Sequence, residues 1–510
     1  MHTRRDFLSS MSTGALALTA GSTFAQPAFA DDGVVTIAWP SDVTGWDPSA
    51  SSSSPGLAIL KCVFDTPFEI STDFKIEPGV ATGYRWLDKE AKVLELTIRE
   101  GVKFHNGDEM TAEDFRFTFY DRPKGDATLN IGGTFGSTVK DIEVVSPYRV
   151  VFHYTQPYLE SVPLLATTTP YILPKRYFEK VGREGFLEKP VGSGPYRLVS
   201  YTRNSLIKLE AFEGYYRGAA KVKKINFQIL KDTSARLAAI QSGQVDYVDS
   251  VPVRDVQRLG AMPNLVGSLE SNSMLVLVHM VNKGIYQDKN LRLAMHHAID
   301  KEAISKALFA GRAKVQSTYS TPGRPGGDPN YKFAYDPAKA KALLAQSGYG
   351  PNNPAKIKFG TFNGNFTGDF DIARVLVQMW QQVGIECELR ITEPSVYFEL
   401  TRNDKLDFPF LYTWIDTTGD PQMTAGLLLD PKKRYSIWKS EDAGQRLAVL
   451  QAELDEVKRA EGYRQFNNWA TEQGYQVPLL QVVGTVVHSK RVKFTPRPNG
   501  WVMPYHWSMS

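Results

Sequence analysis

The sequence has little of what would mark a metal, membrane or nucleic-acid-binding protein. Only 8 of its 510 residues are histidine, and none occurs in HExxH or HxH spacing, so no metal site or cofactor motif is indicated. No run approaches the roughly 20 apolar residues that a membrane-spanning helix needs. Its 59 basic and 55 acidic residues are interspersed, and the lack of a basic tail or an arginine-rich helix argues against nucleic acid as a partner.

Cysteine is too scarce for a disulfide framework, since the chain has 2. Cys62 lies in an apolar, helix-like stretch, whereas Cys387 lies in the strand-like residues 385–391. We predict that both thiols are buried and unpaired.

The first 30 residues have the pattern of a cleavable export signal. Paired arginines at positions 4 and 5 precede a mildly apolar run over residues 14–25, and residues 28–30 (AFA) place small side chains where a signal peptidase reads them. The paired arginines favour the twin-arginine route. No cysteine follows the predicted cleavage after Ala30, which argues against a lipoprotein. We expect a soluble periplasmic protein of a Gram-negative cell.

Residues 94–119 (LELTIREGVKFHNGDEMTAEDFRFTF) predict a strand, a turn and a capped helix in that order. Apolar and polar residues alternate over 94–99, as in a half-buried strand. Asn106-Gly107 supplies the turn. Thr111 and Asp114 then form a near capping box at the start of a helix.

Four further stretches continue this order of turns, helices and strands. They are 191–196 (VGSGPY), 235–246 (ARLAAIQSGQVD), 287–300 (QDKNLRLAMHHAID) and 335–350 (YDPAKAKALLAQSGYG). In the last of these, Asp336 is the predicted N-cap, Pro337 takes the first helical position and Gly348 ends the helix. His296 and His297 are adjacent, so they point about 100° apart on a helix and cannot bind one metal together.

Taken together, the five stretches resemble those of the extracytoplasmic solute-binding proteins of peptide-type ABC importers, also called solute-binding family 5. The resemblance implies an α/β, bilobed periplasmic-binding-protein fold of type II, in the large class, with mixed sheets in each lobe and a hinge. It places lobe I at 31–278, with an inserted subdomain at about 66–189. Lobe II would span 279–479, and residues 480–510 would return to lobe I.

The resemblance also implies a function. The chain would be the substrate-binding component of an ABC importer, capturing a peptide or peptide-like solute in the periplasm and delivering it to a cognate permease in the inner membrane. It would act as a monomer, with no cofactor, no metal and no nucleic acid. Hydrolysis needs a nucleophile, a base and an orienting group brought together, and no such set is evident. A periplasmic hydrolase and a chaperone-like role are the remaining alternatives.

Three segments resemble the cleft-lining segments of the family: 41–48 (SDVTGWDP), 361–369 (TFNGNFTGD) and 411–421 (LYTWIDTTGDP). Such clefts combine apolar aromatic walls with a few orienting polar groups. The candidate ligand-binding residues are Trp46, Phe362, Asn363, Asn365, Tyr412, Trp414, Asp416, Thr417 and Asp420.

Two departures from the family pattern bear on the ligand. Peptide-binding relatives carry an Asp three residues after the tryptophan of a W-x-x-D segment, where it pairs with the peptide α-amine, but this chain has Thr417 there, between Asp416 and Asp420. Relatives that clamp a short peptide's carboxylate use an Arg in the segment equivalent to 361–369, which here has none. An unpaired terminal charge in a closed cleft is costly. An opine, an oligosaccharide or another amino-acid- or peptide-like solute therefore fits at least as well as a standard di- or tripeptide.

Overall fold

The computed structural model describes most of the chain after the predicted export signal. The described residues are 33–50, 54–126, 129, 135, 138–167, 170–320, 324–363, 366–415, 419–433, 436–497 and 500–510. The predicted signal and its cleavage position lie outside them. No helix in this described part is long and apolar enough to cross a membrane.

Strands and helices alternate through most of the chain. The strands are β1 Val34–Trp39, β2 Phe68–Ile70, β3 Ile76–Pro78, β4 Ala81–Trp86, β5 Val93–Ile98, β6 Val139–Ser146, β7 Arg149–Tyr154, β8 Tyr196–Thr202, β9 Leu206–Ala211, β10 Lys224–Ile229, β11 Tyr247–Asp249, β12 Leu265–His279, β13 Ala355–Thr361, β14 Ile385–Ile391, β15 Phe410–Ile415, β16 Gln476–Ser489, β17 Val492–Lys493 and β18 Ser508–Met509.

The helices vary from one turn to almost five turns. They are α1 Ser54–Val63, α2 Ala112–Arg116, α3 Arg122–Gly125, α4 Ser161–Leu164, α5 Lys175–Glu188, α6 Thr233–Gln241, α7 Val253–Gly260, α8 Lys289–His297, α9 Lys301–Phe309, α10 Pro337–Gln346, α11 Asp369–Gln382, α12 Pro394–Arg402, α13 Ala425–Leu429, α14 Glu441–Gln451 and α15 Glu456–Glu472. A π-helical turn at Phe117–Asp121 joins α2 to α3, and short 3-10 helices lie at Gly284–Gln287, Pro421–Met423 and Pro504–His506.

One mixed sheet runs through the molecule in the order β14-β13-β15-β12-β16-β11-β1-β10-β9-β8. Its centre is the antiparallel pair β12 and β16, with 15 and 14 residues. Leu265 pairs with Ser489 at one end and His279 with Gln476 at the other, and the register shifts between Ser271 and Leu275. These two long strands therefore connect the two halves of the sheet.

The apolar side chains divide into separate cores on either side of this strand pair. One large core is built from residues between 275 and 483, including Trp380 and Tyr463. A second, between residues 68 and 191, covers the four-stranded antiparallel sheet β4-β5-β7-β6. The remaining buried residues pack around β1, β10 and the C-terminal Trp507, or around α6 and α7. The molecule has the bilobed arrangement that the resemblance implied.

The local structures predicted from the five stretches are confirmed. Asp288 and Asp336 cap α8 and α10 by accepting hydrogen bonds from backbone N–H groups, at 2.8 Å in each case. The Thr111 N–H donates to the Asp114 carboxylate at 2.8 Å at the start of α2. His296 is buried and stacks on Phe333 at a centroid distance of 3.5 Å, which is a packing role.

Both cysteines are free thiols in the described structure. Cys62 is buried, and burial raises the pKa of its thiol to about 12. Cys387 is half-buried, which differs from the expectation. Cys387 is on the core-facing side of β14 together with Ile385 and Leu389, but this strand is at the edge of the main sheet, so the core covers that side only in part.

Candidate functional site

Aromatic side chains from three segments meet at the C-terminal part of β15. We call Phe362, Tyr397, Phe398, Tyr412 and Trp414 the aromatic wall. Tyr412 and Trp414 are two residues apart and so lie on one face of the strand, with ring centroids 6.5 Å apart. Tyr397 stacks on Tyr412 at 5.0 Å, Phe398 meets its edge at 6.4 Å and Phe362 lies 6.0 Å from it. Tyr412 is therefore the centre of the wall.

The wall extends from the core to the surface. Phe362 and Tyr397 are 1% and 2% exposed, Tyr412 and Trp414 are half-buried, and Phe398 is 38% exposed. The indole N–H of Trp414 donates to the backbone carbonyl of Met423, which fixes the ring beside the segment that follows it. A graded apolar surface of this kind can accept an apolar or aromatic group of a solute.

The other predicted residues have different surroundings. Trp46 is 2% exposed and meets the edge of Tyr201 at 5.5 Å, within the core around β1. Asn363 is exposed. Asn365, Asp416 and Thr417 lie outside the described residues. The structure therefore brings Phe362, Tyr412 and Trp414 together, and places Trp46 elsewhere.

Asp420 belongs to a cluster of charged side chains. Its carboxylate accepts hydrogen bonds from both terminal nitrogens of Arg459, at 2.7 and 2.9 Å, and from the Gln422 N–H at 2.8 Å. Glu160 is the N-cap residue of α4, and its carboxylate oxygen Oε1 lies 3.5 Å from Lys433 Nζ. The pKa of Glu160 is raised overall, and burial is the largest cause. The charge of Asp420 also raises this pKa, whereas the charge of Lys433 lowers it. We call Glu160, Asp420, Lys433 and Arg459 the charge cluster, and its formal charges balance.

Several residues of this region were not predicted. Tyr397 and Phe398 are on α12, His279 ends β12, and Glu160 and Arg459 come from distant parts of the chain. The Tyr397 hydroxyl lies 3.3 Å from His279 Nδ1, and burial lowers the pKa of His279 to about 3. The run Val396-Tyr397-Phe398 was the available signal, since adjacent large apolar residues on a short helix cannot all face the core.

Two small cavities lie away from the wall, beneath the C-terminal tail. One has a volume of about 20 Å³, enough for a single water, and the other about 220 Å³. Charged side chains line them, but Lys61 and Glu69 already pair at 2.9 Å. Burial raises the pKa of Asp65 in the smaller cavity to about 7. Around the smaller cavity, Lys61, Asp65 and Glu69 are buried polar groups that the C-terminal tail covers.

Comparison with known proteins identifies the class. The family described as bacterial extracellular solute-binding proteins, family 5, middle part, matches residues 75–435. The glutathione-binding protein GsiB of Salmonella paratyphi A is 24% identical over 498 residues, or 95% of each chain. The chain belongs to family 5 of the bacterial extracellular solute-binding proteins.

Two solved structures have the same fold. The periplasmic binding protein DppA of Helicobacter pylori, in complex with the peptide STSA, superposes with a TM-score of 0.81 at 22% identity, covering 93% of this chain and 98% of that one. The dipeptide-binding protein of Pseudoalteromonas sp. SM9913, in complex with Met-Leu, gives 0.82 at 19%, covering 94% and 100%. Family membership makes the protein an extracellular solute-binding protein, and the two solved structures show that its fold is that of the periplasmic binding proteins.

Proposed function

We propose that this protein captures a peptide or peptide-like solute outside the inner membrane and delivers it to the permease of its importer. The aromatic wall is the observation that carries the proposal, because an apolar face beside hydrogen-bonding groups suits amino-acid side chains. Three similar proteins support it, since GsiB is named for glutathione and the two solved structures hold peptides.

The binding residues that we propose are taken from this arrangement. Tyr412, Trp414 and Phe398 contact the apolar part of the solute, and Phe362, which is 1% exposed, supports the Tyr412 ring from the core side. Trp46, Asn363, Asn365, Asp416 and Thr417 are retained as candidates from the sequence. Asp420 acts with Arg459 as a pair rather than as a single negative charge.

A second candidate ligand class is favoured by that pair. A carboxylate that already accepts two hydrogen bonds from a guanidinium is a poor partner for the ammonium of a standard peptide, because the two cations compete for it. A solute without a free ammonium, such as an opine or an oligosaccharide, avoids this competition.

The export route, the cellular location and the lobe boundaries are proposed from the sequence pattern. The export signal is of the twin-arginine type and is cleaved after Ala30, and the mature protein is a periplasmic monomer. Lobe I comprises residues 31–278 and 480–510, with the inserted subdomain at about 66–189, and lobe II comprises 279–479. Capture involves no chemical change in the solute and no nucleic acid.

Mass spectrometry of the protein purified from its host, together with calorimetry, tests these proposals. The intact mass reports cleavage, and the small molecules released by denaturation report the ligand. Calorimetry against reduced glutathione, Met-Leu, Ser-Thr-Ser-Ala, octopine and maltotriose should find one class bound near micromolar, or about 8 kcal/mol. Binding of only octopine or maltotriose would replace the peptide proposal with the second candidate. Breakdown of the bound probe would contradict a binding role.

A further inference from the structure

Phe74 lies in an unusual position at the tip of the β2–β3 hairpin. The turn is closed by hydrogen bonds from the Ser71 N–H to the Lys75 carbonyl at 2.9 Å and from the Phe74 N–H to the Ser71 carbonyl at 3.1 Å. The backbone φ of Phe74 is +65°, in the left-handed region that bulky residues rarely adopt. Strain of this kind persists where the surroundings hold it, and it is concentrated at clamps and switches.

The side chain of Phe74 is buried although its neighbours are not. Thr72, Asp73 and Lys75 are exposed, as expected at a hairpin tip, whereas Phe74 is 8% exposed. A distant part of the chain contributes to this burial. The Arg324 guanidinium carbon lies 3.6 Å from the centre of the ring, and a Cβ built on Gly419 would lie 3.3 Å from the Phe74 Cβ.

These contacts join the two parts of the molecule that have separate cores. Phe74 belongs to the core between residues 68 and 191, whereas Arg324 and Gly419 are on segments that flank the core between 275 and 483. Arg324 also donates to the Asp73 carbonyl at 3.3 Å. A second bridge between the same two parts is the Lys433–Glu160 ion pair at 3.5 Å.

We propose that Phe74 is a latch residue, whose ring docks between Gly419 and Arg324 when the lobes close over a solute and withdraws when they open. This inference rests on the proposed function, since it assigns the residue that holds the closed form. Gly419 directly precedes Asp420, a member of the charge cluster. Docking of Phe74 therefore couples closure to the charge cluster, and it slows release of the solute through contacts made only in the closed form.

A cysteine pair tests the docking without any ligand. The Phe74 Cβ and the position of a Gly419 Cβ are 3.3 Å apart, close to the roughly 3.5–4.5 Å of a disulfide. In the mature full chain with Cys387→Ser, the double variant Phe74→Cys/Gly419→Cys should form an intramolecular disulfide under mild oxidation, and each single variant should not. The radius of gyration from solution scattering should fall on oxidation and recover on reduction. Failure to cross-link, or cross-linking with an unchanged radius, would overturn the latch.

The rate of solute release gives a second test, with a substitution that removes the ring of Phe74 and tolerates its positive φ. Phe74→Gly accepts φ of +65° without strain, so the hairpin can fold. Ala310→Gly is the matched control, because Ala310 also has a positive φ, +51°, but is exposed at the end of α9. With fluorescently labelled Met-Leu or glutathione as the probe, Phe74→Gly should release it about tenfold faster, with a smaller effect on its association rate.

The two tests separate the latch from the proposed function. If neither peptide probe binds the wild type, the peptide proposal fails while the disulfide result still decides the latch. If the probe binds and Phe74→Gly releases it at the wild-type rate, the latch is wrong and the peptide proposal stands. Arg324→Gln should speed release by a smaller factor. Its effect should shrink in the Phe74→Gly background to what the hydrogen bond to the Asp73 carbonyl contributes, because the contact with the ring is then already lost.

Discussion

The carboxylate of Asp420 and the guanidinium of Arg459 form a two-pronged ion pair, with oxygen–nitrogen distances of 2.7 and 2.9 Å. Both side chains are largely enclosed, at 14% and 12% exposure. In an enclosed pair each charge depends on the other, and removal of one partner leaves the second with an uncompensated charge. The pair therefore has a structural role that does not depend on a bound solute.

This role predicts unequal effects of two substitutions on stability. Arg459→Gln leaves the carboxylates of Asp420 and Glu160 near each other, and should lower the free energy of unfolding by about 3 kcal/mol. Asp420→Asn leaves Arg459 with Glu160 as a partner and should cost about 1–2 kcal/mol. Urea unfolding measures both. Lys223→Gln, which breaks an exposed pair with Glu213, is the control and should change stability by less than about 1 kcal/mol. Wild-type stability in both variants would show that Asp420 is available to a ligand ammonium.

Substitution of Phe398 distinguishes an effect on solute affinity from an effect on stability better than substitution of any buried member of the aromatic wall. It is 38% exposed, so Phe398→Ala should change the free energy of unfolding by less than about 1 kcal/mol, while weakening solute binding about tenfold through lost apolar contact. Calorimetry with the peptide that binds the wild type measures the affinity. Val457→Ala is the control, since Val457 is 79% exposed on α15. Equal affinity of Phe398→Ala and wild type would remove Phe398 from the binding surface.

The local structure of this chain could be predicted from its sequence because the signals are short-range. Asp336, Pro337 and Gly348 lie within one helix and its ends, so capping and backbone preferences decide its bounds with little help from the rest of the molecule. The same is true of the strand at 93–98, whose alternation reflects one buried face.

The candidate site was predicted only in part, because tertiary packing decides it. Tyr412 and Trp414 share a strand face and could be found together, but the position of α12 against that face depends on how the lobe packs. Arg459, which pairs with Asp420, is 39 residues away in the sequence. Glu160, the other acidic member of the charge cluster, is much farther from Asp420 along the chain. Nothing local to Asp420 indicates that a guanidinium already occupies its carboxylate, so its assignment as a ligand anchor was incomplete.

The glycines of the VGSGPY turn are required by close approach to α1. A Cβ on Gly192 would lie 2.0 Å from the Val63 carbonyl oxygen, and one on Gly194 would lie 2.6 Å from the Val63 carbonyl carbon. Gly192→Ala should therefore destabilise the protein by about 3 kcal/mol or more, because backbone atoms must move. Gly125→Ala meets nothing within 4 Å and should be neutral or slightly stabilising. Thermal unfolding of the two variants compares them, and equal melting temperatures would show that the turn is not packed against α1.

His105 joins the turn at 104–107 to the same VGSGPY turn, and its two ring nitrogens have different roles. The Gly192 N–H donates to Nδ1 at 3.3 Å, so Nε2 carries the proton and donates to the Gly194 carbonyl at 3.0 Å. A second proton would have to occupy Nδ1, where a donor already points. Burial is the largest cause that lowers the pKa of His105 from 6.5 to about 4, and the positive charge of Arg197 acts in the same direction.

The lowered pKa of His105 predicts the direction of its pH dependence. The unfolded chain binds the proton at higher pH than the folded chain, so the contribution of the neutral ring is fully present above pH 6.5 and is lost as the pH falls towards 4. Between pH 7.5 and pH 5 this one group should reduce the free energy of unfolding by about 2 kcal/mol. In His105→Gln the group does not titrate, so the stability difference between wild type and variant should shrink over that interval. Urea unfolding at pH 7.5, 6.5, 5.5 and 5 measures it, and parallel curves for the two proteins would show that His105 is not held in its neutral form.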